Sequence, residues 1–336
     1  MFSESEIKRI CRQFDIECNQ IGAVIDTSRS DEDKRYNYNI NNQYFLKINT
    51  SKAVTEEFLQ DIVKLIFKYR EIGVYCPTLI KSNTGALIYI YTKEAIEYIC
   101  YIEECAPYKT YNSNKYKIDY NFKKTVVGHL GKLAKEFSNH ELSYTKSMWS
   151  LIELGAFNID RDEKQENLDT LVTMLKQYKY YDLASRLLKA NIYNREQIEK
   201  HLHQLPRCVY QGDLNESNLL IDEQGAFKGI IDFNMFGTEV NINCFLNETM
   251  YYLEVENFEH LSAKEIFNKM NNEQENMLSE ILKSYKLNKL EIAMWKHYKK
   301  IIYMSFYPNV MLLNSLLEKS TYVDKALELI DIIVSM

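Results

Sequence analysis

Glycine and proline are scarce in this chain, ten and four residues out of 336. So few backbone punctuators leave room for few long loops and argue against a disordered linker. Cysteine is present but unpatterned. Cys11, Cys18, Cys76, Cys100, Cys105, Cys208 and Cys244 form an odd set without a C-x-x-C pair. That argues against a disulfide framework or a structural zinc site, and a reducing cytosol fits best. No run reaches the roughly 18 apolar residues needed to cross a bilayer. The start, Met1-Phe2-Ser3-Glu4-Ser5-Glu6-Ile7-Lys8-Arg9, lacks the apolar core of a signal peptide and reads as a helix start, with Ser3 and Glu6 at capping-box spacing. Nor is positive charge in excess: 41 Lys and Arg stand against 47 Asp and Glu, a net charge of −6. The balance argues against nucleic acid as a main partner and suits a cationic substrate. The expectation is a soluble, cytoplasmic protein with no membrane or nucleic-acid partner.

What the chain has in quantity is apolar and aromatic surface, 46% hydrophobic residues and 26 Tyr, on a length that supports two domains or one large bilobal unit. The first hundred residues read as strand-rich. Tyr36–Ile40 and Gln43–Ile48 flank Asn41-Asn42, a pair that tolerates the positive φ of a hairpin turn. Residues 52–70 switch to helical spacing, with Phe58, Ile62, Leu65, Ile66 and Tyr69 on one face. Pro77 and Thr78 open a strand, Asn83-Thr84-Gly85 turns it into Ala86–Tyr91, and a further strand covers roughly Glu97–Ile102 until Pro107 breaks it. Beyond, helices dominate: a stripe from Phe122 to Phe137, then 164–190, 194–203 with Asn194 and Gln197 at capping spacing, Ser262–Tyr285 and Leu290–Met304. The expected domains are 1–104, rich in sheet, and 105–336, helical with one hairpin at 219–232.

That hairpin carries the most chemistry. Gln211-Gly212-Asp213-Leu214-Asn215-Glu216-Ser217-Asn218 is followed by the apolar strand Leu219-Leu220-Ile221, a turn, and Ile230-Ile231-Asp232-Phe233. The returning strand brings Asp232 back near Asn218. Phosphoryl transfer needs this set of groups. One carboxylate, Asp213, can hold a substrate hydroxyl, while the Asn218 amide oxygen and the Asp232 carboxylate can hold Mg²⁺ on a nucleotide's phosphates.

These residues resemble the aminoglycoside phosphotransferase and choline kinase-like family, relatives of protein kinases, whose pattern is roughly H-x-D-x-x-x-x-N, a hairpin, and an aspartate before an aromatic. Gln211 stands where His is usual; it can donate and accept hydrogen bonds but cannot become cationic. The resemblance implies an α+β, bilobal protein kinase-like fold, with a small antiparallel-sheet N-lobe for the nucleotide, a hinge, and a larger helical C-lobe. It implies Asp213 as catalytic base or hydroxyl-orienting residue, Asn218 and Asp232 as metal ligands, Mg²⁺ as cofactor, and ATP or GTP as co-substrate. The acceptor would be a small molecule bearing a hydroxyl.

Such a site needs a cation for the phosphates. Lys47, near the end of the apolar strand Tyr44–Ile48 and just before a helix, fits the family's strand lysine that pairs with a helical acid. With Phe58, Ile62 and Ile66 setting the buried face, helical phase favours Glu56 over Glu57 as that acid. Residues 25–31, where nucleotide kinases cover the phosphates, contain no glycine and read as a solvated hairpin. Residues 103–106 are the expected purine-binding hinge. His201-x-His203 lacks further ligands for a metal. Aromatic residues of the last third, Tyr252 and Phe306 among them, suit either helix packing or a cation-binding pocket. The competing class is a non-catalytic kinase-fold binding or structural protein, such as a spore-coat-associated relative. Protein kinase activity is disfavoured by the absence of an Ala-Pro-Glu element after Asp232.

Overall fold

Ser3 starts the first element. Its hydroxyl accepts from the Glu6 backbone while the Glu6 carboxylate takes the Ser3 N–H at 2.6 Å, a capping box that opens helix α1 (Glu4–Arg12). The computed structural model describes residues 1–30, 32–111, 120–155, 160–318 and 321–336. They group into two units, Met1–Tyr116 with Asn215–Phe233, and Lys117–Leu214 with Asn234–Met336.

In the first unit, α1 is followed by strands β1 (Ile21–Asp26), β2 (Arg35–Ile40) and β3 (Tyr44–Asn49). Asn41 and Asn42 turn β2 into β3 with φ of 58° and 57°, the left-handed pair that a two-residue hairpin requires. Thr55 caps helix α2 (Glu56–Glu71) by accepting from the Phe58 N–H. Strands β4 (Leu79–Ile80), β5 (Tyr89–Lys93) and β6 (Ile96–Glu104) complete a sheet of order β1-β2-β3-β6-β4, with β5 on β6. One face of it is core. Tyr38, Leu46, Ile48, Cys100 and Ile102 pack in one cluster with Ile7, Ile10 and Cys11 of α1. After Pro107 comes the two-residue strand β7 (Lys109–Thr110).

The second unit takes helices α3 (Tyr120–Phe137), α4 (Glu163–Gln177) and α5 (Tyr181–Glu199) and strand β8 (Arg207–Tyr210). The chain then contributes β9 (Leu219–Ile221) and β10 (Phe227–Ile230) to the first unit, in a sheet of order β10-β9-β7. Strand β11 (Gly237–Val240) pairs antiparallel with β8. Helices α6 (Asn241–Glu248), α7 (Val255–His260), α8 (Ala263–Leu282), α9 (Lys289–Ser305), α10 (Tyr307–Glu318) and α11 (Val323–Ser335) finish the chain. An N-terminal antiparallel sheet followed by a largely helical part makes the fold α+β, as expected. No described helix is long and apolar enough to cross a membrane.

Three particulars differ from the sequence reading. The break expected between 190 and 194 lies at Tyr178–Tyr180, where Lys179 adopts φ 67° just past the end of α4. Asn194 is no cap: it sits buried inside α5, donating to the Ala190 carbonyl at 2.6 Å with its Oδ1 2.7 Å from His297 Nδ1. The hairpin at 219–230 groups with the sheet-rich unit, whereas the expected boundary of 104/105 assigned it to the helical one. The reason is main-chain pairing: β7 joins β9, the Tyr75 N–H donates to the Lys228 carbonyl, and the Ile230 N–H donates to the Tyr75 carbonyl, each at 2.9 Å. The β8–β11 ribbon had no counterpart in the expectation.

Gly229 makes that docking possible, since a Cβ there would land on the Tyr75 carbonyl. Gly229→Ala is expected to cost about 1–3 kcal/mol of unfolding free energy, read by urea denaturation; an unchanged midpoint would mean that the hairpin is not seated against Tyr75.

Candidate functional site

Strand alternation sorts β3 and β6. Lys47 lies opposite Tyr101 and Phe45 opposite Glu103, so Lys47, Tyr101 and Glu103 share the face turned from the core. Lys47 Nζ is 2.9 Å from Glu103 Oε1, with side chains 16% and 17% exposed, and 5.8 Å from the Tyr101 ring centroid. Burial alone would lower the Lys47 pKa, but Glu103, Tyr101 and Asp232 outweigh it and hold the ammonium above its ordinary value. Burial pushes the Tyr101 hydroxyl up to about 12, with Lys47 opposing and Glu103 and Asp232 adding.

The same unit holds Asn218 and Asp232. Asn218, 6% exposed, ends a single 3-10 turn (Glu216–Asn218) opened by Asn215, whose Oδ1 accepts from the Ser217 N–H at 3.0 Å. Asn215 is thus a turn cap. The Asn218 carbonyl accepts from the Ile231 N–H at 2.9 Å, one residue beyond the β9–β10 ladder, so the hairpin brings Asp232 back beside Asn218. Asp232 has φ 59°. Aspartate tolerates this left-handed backbone better than most residues, and such strain concentrates at functional positions. Phe233 anchors the segment, buried and edge-to-face with Tyr69 of α2 at 5.9 Å. An amide oxygen and a carboxylate are hard donors that fit Mg²⁺, which completes its shell with phosphate and water. Among the described residues, no group of three or more His, Cys, Asp or Glu gathers that could hold a metal, here or elsewhere.

Asp213 belongs to the second unit, at the end of β8. Gln211, fully buried, accepts the Asp213 N–H on Oε1 at 2.7 Å. Gly212 has φ 83°, and a Cβ there would meet the Met235 carbonyl. The Trp149 indole N–H donates to the Gly212 carbonyl at 2.5 Å. Close to Asp213 is Glu248, the last residue of α6; burial first and then the Asp213 charge push its carboxyl up to about 7, with Lys164 opposing. Burial, Glu248 and Asp213 push the Tyr252 hydroxyl up to about 12, and its ring meets Phe306 edge-on at 5.2 Å. Lys164 is 1% exposed, paired with Glu163 at 2.6 Å and stacked 5.2 Å from the Trp149 ring and 5.9 Å from Phe306.

One assignment needs correction. Glu56 does not serve Lys47: its carboxylate accepts the Leu87 N–H at 2.9 Å and the Ile88 N–H at 3.1 Å. Leu59 rather than Phe58 sets the inner edge of α2, and the acid for Lys47 comes from its own sheet. Glu103 escaped the sequence because a diagonal cross-strand pair is visible only once the β3–β6 register is known. Glu248 carries no sequence signal, although Tyr252 and Phe306 stand out in the sequence as aromatic. In the expected hinge, the N–H groups of Glu104 and Cys105 already donate to Thr78 and Gln43. In the loop after β1, Ser28 Oγ accepts from the Arg35 N–H and Ser30 Oγ from the Asp33 N–H, so these hydroxyls hold the hairpin itself; Asp31 lies outside the described residues.

The model of the phosphotransferase enzyme family matches residues 126–239, a span that includes Asp213, Asn218 and Asp232 but not Lys47. This segment is similar to the phosphotransferase enzyme family, over about a third of the chain. The fold extends the likeness. A solved amicoumacin kinase, in complex with AMP-PNP, Ca²⁺ and Ami, is 13% identical with a TM-score of 0.56, covering 99% of this chain and 94% of its own. A microcompartment-associated aminopropanol kinase is 12% identical with a TM-score of 0.49, over 99% of this chain and 96% of its own. The choline kinase LicA from Streptococcus pneumoniae is 14% identical with a TM-score of 0.44, over 99% and 97%. The first supports the kinase-like fold along nearly the whole chain. No curated relative matches the sequence.

Gln211 stands in the brace position of the loop. Gln211→Leu, similar in volume but without the acceptor, should remove the bond from the Asp213 N–H and cost about 1–3 kcal/mol, measured by denaturant melts. An equally stable variant would show that the Gln211 contact does not brace the loop.

Proposed function

We propose that this chain is a small-molecule kinase that moves the γ-phosphoryl group of Mg-ATP or GTP to a hydroxyl of a cationic acceptor. The observation that supports it most is the first unit's grouping of Lys47 in the field of Asp232, with the Ile231 N–H donating to the Asn218 carbonyl and so setting Asp232 next to that pair. A fixed cation beside two hard oxygen donors suits the phosphates of a nucleotide and their metal. Asn218 and Asp232 would hold Mg²⁺, which when bound neutralises phosphate charge and draws electrons from the transferring group. Lys47 would hold phosphate oxygens, with Glu103 keeping it ionised and oriented. Asp213 would orient the acceptor hydroxyl and receive its proton as the oxygen attacks phosphorus.

Acceptor charge follows from Glu248. Its half-buried carboxylate sits beside Asp213 at the C-terminal end of α6, where the helix dipole disfavours an anion. Two neighbouring carboxylates and the Tyr252 ring favour an ammonium between them and offer nothing to an anionic acceptor.

Mg²⁺ with ATP or GTP should raise the melting temperature of the wild-type chain. Asp232→Ala should abolish that shift, and Asp213→Ala should keep it while turnover falls about a hundredfold or more. No Mg²⁺-dependent shift with either nucleotide would sink the kinase reading. Because Glu248 is raised, it is neutral below about pH 7 and ionised above. The KM for a cationic acceptor should therefore rise as pH falls through that value, and Glu248→Gln should raise KM and flatten the profile. A profile unchanged in the variant would remove Glu248 from the acceptor site.

A further inference from the structure

Resting on the kinase reading, we propose that Trp149 is a positioning residue for Asp213, holding the Gly212–Asp213 peptide plane in register through its indole N–H. The plane is pinned from both sides. Its carbonyl accepts from Trp149 Nε1 at 2.5 Å, and its N–H donates to Gln211 Oε1 at 2.7 Å. Gly212 has the left-handed φ of 83° that lets the chain pass the Met235 carbonyl. A glycine there also leaves the peptide free to rotate, since no Cβ opposes a flip. Losing the indole donor removes one restraint on the peptide that positions Asp213, the residue that would orient the acceptor hydroxyl.

Trp149 is itself held for this task. The segment around it is laced to β11: the Ser147 N–H donates to the Thr238 carbonyl at 3.1 Å, the Thr238 N–H to the Thr145 carbonyl at 2.8 Å, and Ser150 Oγ to Glu239 at 3.0 Å. Asn243 Nδ2 donates to the Trp149 carbonyl at 2.8 Å. Lys164, which has no route to solvent at 1% exposure, lies over the ring at 5.2 Å. A cation on the π face draws charge out of the indole and strengthens its N–H as a donor. Packing alone requires none of this, because an aromatic ring without a donor would fill the same space beneath Lys164.

Trp149→Phe isolates the donor, keeping a ring under Lys164. In the full-length free protein, deuterium exchange over residues 211–214 should quicken in the variant while that of β8 stays unchanged. With an acceptor that the wild type phosphorylates, kcat should fall about ten- to a hundredfold, with the Mg-nucleotide thermal shift kept and acceptor KM within twofold. Lys164→Met, which keeps the bulk and removes the cation, should move kcat in the same direction by less. The proposal is overturned if Trp149→Phe exchanges like the wild type, or if kcat falls only by the fraction unfolded at the assay temperature. A wild type that phosphorylates no acceptor would end the kinase reading instead, leaving the exchange result to decide whether Trp149 holds the loop.

Discussion

A half-buried ammonium persists only beside its counter-charge, and the register of β3 on β6 supplies one to Lys47. The alternation that sends Leu46, Ile48, Cys100 and Ile102 into the core puts Lys47, Tyr101 and Glu103 on the other face. A slip of one residue would exchange the two sets and leave the ammonium in the core. Burying an ion pair is seldom a gain in stability over apolar packing. What this pair provides is a cation whose charge is fixed beside Asp232.

The candidate site residues between 211 and 232 are carried by two ribbons. The β9–β10 hairpin frames Asn218 and Asp232, and the β8–β11 pair frames Gln211, Gly212 and Asp213. Each ribbon is held by main-chain bonds, so these side chains are positioned by backbone geometry that tolerates much sequence change. That squares with a shared fold at 13% identity.

Local features were legible in the sequence. The Ser3 capping box, the Asn41-Asn42 turn, the hairpin after Asn218 and the α+β order all follow from periodicity and turn chemistry within a few residues. Features made by tertiary pairing were not. Glu103 against Lys47 needs a cross-strand register, Glu248 near Asp213 needs the packing of α6, and Trp149 reaches Gly212 across 63 positions of chain. Glu56 shows the same limit from the other side: the helix was anticipated, but two backbone amides claimed its acid.

The seven thiols carry a different consequence. All are free and six are buried, and burial pushes those of Cys11, Cys76, Cys100 and Cys244 well above the usual range for a thiol. In the native protein these four are therefore poorly reactive packing groups. Each of these four becomes a ready nucleophile only when the chain around it opens, and a disulfide then formed between thiols that are distant in the native fold is foreign to it. Oxidation would thus act on this protein as a ratchet, turning transient unfolding in either unit into a permanent loss.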